Sequence, residues 1–152
     1  LVYLPVLLVS VAVMAPVIIV AERHGRMKGA LVGAVAAMAA SQLMLATGGT
    51  DKYVMLLALV MFFSGFNIME ASLPSLVTKT APAGATGTAT GIYSSSQFLG
   101  IFAGGALGGW IHQAAGTDAV FFFAAAVAIL WLLVAATMRG PALGYHGRVP
   151  SA

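Results

Sequence analysis

A chain of 152 residues that is 61% hydrophobic and only 7% charged, with a mean hydropathy of +1.00, has too little polar surface for a soluble domain, since such domains run about 45–50% apolar and about 25% charged. Its net charge of +3 comes from seven scattered Lys and Arg that form no patch, so no nucleic-acid partner is expected, and the lack of cysteine removes disulfides and thiolate metal sites. What remains is an all-α membrane protein, a polytopic helical bundle with the lipid bilayer as its solvent.

Five apolar segments of about 20 residues or more are predicted to cross roughly 30 Å of hydrocarbon. The first runs from about Leu1 to Ala21. It opens inside an apolar run with no initiator Met, charged leader or cleavage site, so it is not a signal peptide, and more chain is expected upstream. The loop that follows, Glu22-Arg23-His24-Gly25-Arg26-Met27-Lys28, sets an acid among cations around a glycine. Composition alone reads it as a positive-inside anchor. The sharper reading is a fixed ion-pair network between Glu22 and the arginines, with Gly25 permitting a tight turn.

The second segment, about Gly29 to Thr47, carries only Ser41 and Gln42 in its middle, where a packing hydrogen bond is expected. The third, about Tyr53 to Val77, is the unusual one. Asn67, Glu70 and Pro74 share one face at helical spacing, and Pro74 leaves the carbonyl of Glu70 without its helical donor. An ionisable side chain at bilayer depth costs a few kcal/mol, so Glu70 is a functional-site candidate by default. Its face should look into protein or water, as a structural staple or as a group that handles protons or substrate.

The fourth segment, about Thr90 to Gln113, brings Tyr93, Ser94, Ser95, Ser96 and Gln97 to the depth of Glu70 as natural partners. Tyr93, Gln97, Gly100, Gly104 and Gly108 then recur at intervals of four, with Gly105 and Gly109 on an adjacent stripe. Repeated G-x-x-x-G spacing of this kind serves close helix packing. The fifth segment, about Val120 to Met138, has no polar residue before Thr137 and is expected to face lipid. It closes a transmembrane unit over residues 1–138, leaving 139–152 as a tail.

Orientation follows from the basic residues. Arg23, Arg26, Lys28, Lys79, Arg139 and Arg148 fall on one side and Lys52 alone on the other. The first set is predicted to be cytoplasmic, with the N-terminus of this chain outside and its C-terminus inside. His24, His112 and His146 have no ligand spacing, so no metal or cofactor is expected. Nor is there an H-E-x-x-H, a G-x-S-x-G or a P-loop, and an enzyme is not expected.

The Glu22 to Lys28 loop resembles the D-R-x-G-R-[RK] motif of the major facilitator superfamily, with Glu22 where Asp is usual. The string EASLPSLVTKTAPAGATGTATGIYSSSQFLG, from Glu70 to Gly100, is similar to the tenth and eleventh helices of the YajR-like branch of bacterial efflux transporters. That resemblance implies the eighth to twelfth helices of a twelve-helix, rocker-switch carrier in the bacterial inner membrane. Its N-terminal half would lie upstream, its substrate would be a small organic molecule, and protons would be the coupling ion. The first, third and fourth segments would line the cavity or the interface between halves, with the second and fifth outside. The loop of Glu22, Arg23, Gly25 and Arg26 would act as a conformational latch, and Asn67, Glu70, Tyr93 and Gln97 would belong to the proton or substrate pathway. Proton-coupled export is the reading adopted, with an uptake carrier of the same fold and a non-transporting helical scaffold as the alternatives.

Overall fold

The computed structural model describes residues 3–48 and 51–137 and contains five α-helices. They are α1 (Tyr3–Arg23), α2 (Met27–Thr47), α3 (Lys52–Thr80), α4 (Thr86–Ala115) and α5 (Thr117–Thr137). The tail at 139–152, with Arg139, His146 and Arg148, lies outside the described residues. Four of the helices, α1, α2, α3 and α5, are long and apolar enough to cross a membrane by length and composition. The exception is α4: its 30 residues reach about 45 Å, but Gly, Ser and Thr dilute its apolar content.

Local chemistry explains the helix ends. At the α1–α2 turn, Arg26 N donates to the Ala21 carbonyl at 2.8 Å and Gly25 N to Glu22 O at 3.2 Å, with Gly25 at φ +64. These are the paired bonds of a Schellman stop, which needs a residue at ease in the left-handed region. Asp51 caps α3, its carboxylate accepting from Tyr53 N at 2.8 Å and from Val54 N at 3.4 Å. The third helix runs to Thr80, beyond the expected end near Val77, and Pro82 follows it closely. The fourth starts at Thr86 and not at Thr90, and a single residue, Gly116 at φ +85, turns the chain from α4 into α5.

The helices pack as two rows. In one, α3 stands between α1 and α4; in the other, α2 stands beside α5, and α2 lies against both α3 and α1. The core is where α2 meets α3: Ala34, Val35, Ile68 and Met69 are buried, and Met14, Ile18 and Leu132 close over them from α1 and α5. Close approach there depends on Gly65, because a side-chain carbon at that position would sit 2.6 Å from the Ala34 carbonyl oxygen and 2.8 Å from Met38 Cγ. Side-chain hydrogen bonds between helices link α1 to α3 and α3 to α4.

Two groups singled out in the sequence have contrasting local surroundings. The glycines of α4 do not serve helix packing within this chain: side-chain carbons at Gly100, Gly104, Gly105 and Gly109 would meet nothing within 4 Å, and one at Gly108 only Val120 Cγ1 at 3.9 Å. Glycine spacing marks a face on which another helix can come close, but it does not supply that helix, and no residue of α4 is buried here. Ser41, in turn, makes no bond across the bundle. Its hydroxyl, fully buried, donates to the Met38 carbonyl of its own helix at 2.7 Å, a local bond that leaves the small side chain free to pack tightly.

Candidate functional site

Hydrogen-bonded polar side chains form a strip across α1, α3 and α4. Glu70 lies on α3 about 15 Å from the Thr80 end at about 1.5 Å per residue. Gln97 of α4 reaches it with Nε2, donating to Oε1 at 2.9 Å and Oε2 at 3.2 Å. The amide therefore spans both carboxylate oxygens, and no cation pairs with Glu70 among the described residues. Burial between the two helices is not what holds it: Glu70 is exposed within this chain, because α4 stands off from α3. A carboxylate bonded on one side and open on the other can exchange a proton or meet a solute without breaking the bundle.

Asn67 shares the face of Glu70 but takes a different partner. Its Nδ2 donates to Ser10 Oγ of α1 at 3.1 Å, while that hydroxyl donates to the Leu7 carbonyl at 2.8 Å. Ser10 is fully buried and Asn67 partly so, and the relay is a clasp between α1 and α3. Tyr93, half-buried on α4 one turn before Gln97, makes no side-chain hydrogen bond among the described residues. Pro74 lies within α3 one turn beyond Glu70, as the spacing required. The structure thus joins Glu70 to Gln97 and Asn67 to Ser10, and leaves Tyr93 nearby. Ser10 was missed because a lone serine in an apolar helix carries no periodic signal.

A second cluster gathers at the end of the bundle where Arg23, Arg26, Lys28 and Lys79 lie, here called the basic end. Glu22 pairs with Lys79 of α3 at 3.2 Å, both side chains about half exposed. The pair closes one edge of a cleft of about 700 Å³ between α1 and α3, into which Arg23, Gly25, Ser72 and Ser75 also face. Ser72 is 3% exposed, and its hydroxyl has no hydrogen-bond partner. The expected network of Glu22 with the arginines does not form, because the Schellman stop turns Arg26 away from Glu22. At this same end, Lys28 donates to the Ala136 carbonyl in the last turn of α5 at 3.1 Å, answering one of the carbonyls a helix end leaves open. Lys79 entered the sequence reading only as a topology charge; its position at the same end as Glu22 was the signal available.

The arrangement is that of a membrane bundle in which a few polar side chains join α1, α3 and α4. Comparison with known proteins decides what kind. The sequence profile of the Major Facilitator Superfamily matches residues 2–149. The chain belongs to that superfamily. It is 42% identical over 140 residues to the inner membrane transport protein YajR of Escherichia coli (strain K12), covering 92% of this chain and 31% of that protein. It is also 38% identical over 85 residues to an uncharacterized transporter of Buchnera aphidicola subsp. Baizongia pistaciae (strain Bp), covering 56% of this chain and 22% of that protein. This major facilitator chain thus spans about a third or less of the length of the curated relatives it matches, and both are named as transporters. No solved structure matches it at a significant level.

Proposed function

We propose that this chain forms the last five helices of a twelve-helix secondary transporter of the bacterial inner membrane, which exports a small organic solute in exchange for protons by alternating access. The observation that carries this reading is Glu70, an intramembrane carboxylate held by Gln97 and matched by no cation among the described residues. In a protein whose superfamily moves solutes, such a group is a natural carrier of the coupling proton. Gln97 keeps the carboxyl aimed across the gap between α3 and α4, and the Asn67–Ser10 clasp keeps α3 in register with α1. Tyr93 extends the same polar strip toward the basic end. The glycine face of α4 would meet the part of the transporter that lies outside this chain.

The Glu22–Lys79 pair, with Arg23 and Gly25 beside it, serves in this reading as a latch on the basic end, which faces the cytoplasm. It biases the rocking equilibrium and touches no substrate. Arg26 drops out of the latch because it points to the other side of the turn.

The test is made on the complete transporter in proteoliposomes with an imposed pH gradient. Glu70→Gln keeps the shape and hydrogen bonding of the neutral acid, so it should abolish proton-driven accumulation while leaving solute counterflow in place. Full proton-driven transport by this variant would remove Glu70 from the mechanism. Accumulation in right-side-out but not in inverted vesicles would reverse the direction and favour an uptake carrier.

A further inference from the structure

Two grooves flank the α1–α2 turn, and the latch uses only one. The other, about 550 Å³, runs along α1 and α2 with Pro16, Val17, Val20 and Ala30 on its walls and His24 and Arg26 at its mouth. From Pro16 to Arg23 the α1 wall reaches roughly 10 Å below that mouth at about 1.5 Å per residue. Gly29 also lines the groove and keeps it open, since a side-chain carbon there would meet nothing within 4 Å. The nearest acid in sequence, Glu22, is taken by Lys79 on the opposite side of the turn, so neither His24 nor Arg26 has an acidic partner among the described residues. His24 is held in place as well: its Nδ1 donates to the Val20 carbonyl at 2.9 Å, so the ring marks the mouth of the groove while Arg26 supplies the positive charge of the rim.

Apolar walls about 10 Å deep under a cationic, carboxylate-free rim are complementary to one abundant class of molecule in a membrane. We propose that the α1–α2 groove is a binding site for an anionic phospholipid, its phosphate at Arg26 and one acyl chain along Val17 and Val20. The charge complementarity lies in the unpaired rim, and the length of the walls suits a chain that enters from the headgroup level. This site is independent of Glu70 and of the transport reading, because it needs only that the basic end sit at a membrane surface.

The test is native mass spectrometry on the full-length transporter in mild detergent, after incubation with phosphatidylglycerol or with phosphatidylcholine. Phosphatidylglycerol should be retained in preference, and Arg26→Gln should weaken its retention about fivefold, the share of one surface cation, with phosphatidylcholine unaffected. Gly29→Leu fills the groove without changing charge and suits a helix, so it should lower retention of both lipids. Equal retention of the two lipids by the wild type would overturn the site. So would undiminished phosphatidylglycerol retention in Gly29→Leu, which would mean diffuse attraction to the basic end. A photo-reactive residue at position 17 should capture lipid; capture of another segment of the transporter would place polypeptide in the groove and reject the proposal.

Discussion

Glu70 and Glu22 are both acids in a basic, apolar chain, and the structure gives them opposite companions. Glu70 meets a neutral amide and Glu22 meets a lysine. The first arrangement keeps a carboxylate available to a proton, while the second engages it in a charge pair that either partner can test. A pair at about half exposure is worth roughly 0.2–1 kcal/mol, enough to shift a two-state equilibrium by up to about fivefold. Glu22→Lys and Lys79→Glu should therefore each alter transport rate in the complete carrier, and the double variant with the charges exchanged should restore it. If the double variant behaves as the sum of the two singles, the pair is not a unit. The Ser10–Asn67 clasp belongs to this scale too. Ser10→Ala removes the acceptor of Asn67 Nδ2 and should cost about 0.6 kcal/mol, up to about 1.7, read from resistance to unfolding in mixed micelles.

Helices in lipid gain nothing from hiding apolar faces, so close contact and short hydrogen bonds decide which of them touch. The α2–α3 seam shows this at Gly65, which admits the Ala34 carbonyl where any side chain would collide. Gly65→Ala is expected to destabilise the bundle by about 1–3 kcal/mol through overpacking. Gly33→Ala, on α2, the partner helix of that seam, but in open space, should be neutral or stabilising by up to about 1 kcal/mol through helix propensity. Equal effects in an unfolding titration would show that the seam yields to the extra carbon. The other element-level tie is Lys28, which joins the start of α2 to the end of α5. Its charge therefore has a second use besides topology.

For the molecule as a whole, the alternating helices place Arg23, Arg26, Lys28 and Lys79 at one end and Asp51, Lys52 and Asp118 at the other. The proposed orientation, with the basic end in the cytoplasm, predicts that Lys52→Cys reacts with an impermeant thiol reagent added to intact cells, and that Ala83→Cys reacts only after the membrane is opened. Both positions are exposed and lie outside the helix cores, so neither substitution disturbs packing. Labelling of Ala83→Cys in intact cells would invert the orientation and with it the side on which the latch works. The apolar face of α4 is open among the described residues, with Phe98, Phe102 and Trp110 each more than two-thirds exposed.

The sequence by itself determined the medium, the five helices and the superfamily, because hydropathy, helix-stop chemistry and the Glu22 to Lys28 and Glu70 to Gly100 strings are local properties of the chain. It also picked out Glu70 and Gln97, since polar residues are rare enough in such segments to be conspicuous. Only the tertiary structure decided partners. Glu22 takes Lys79 of α3 and not Arg26 because the turn at Gly25 puts Arg26 on the other side, and Asn67 takes Ser10 because α1 lies closer to α3 than α4 does. The glycine that sets the α2–α3 approach is Gly65, outside the repeated pattern, while Gly100, Gly104, Gly105 and Gly109 of α4 face open space within this chain. Spacing along one helix tells which residues share a face; which helix that face meets depends on packing across the bundle, and no single segment encodes it.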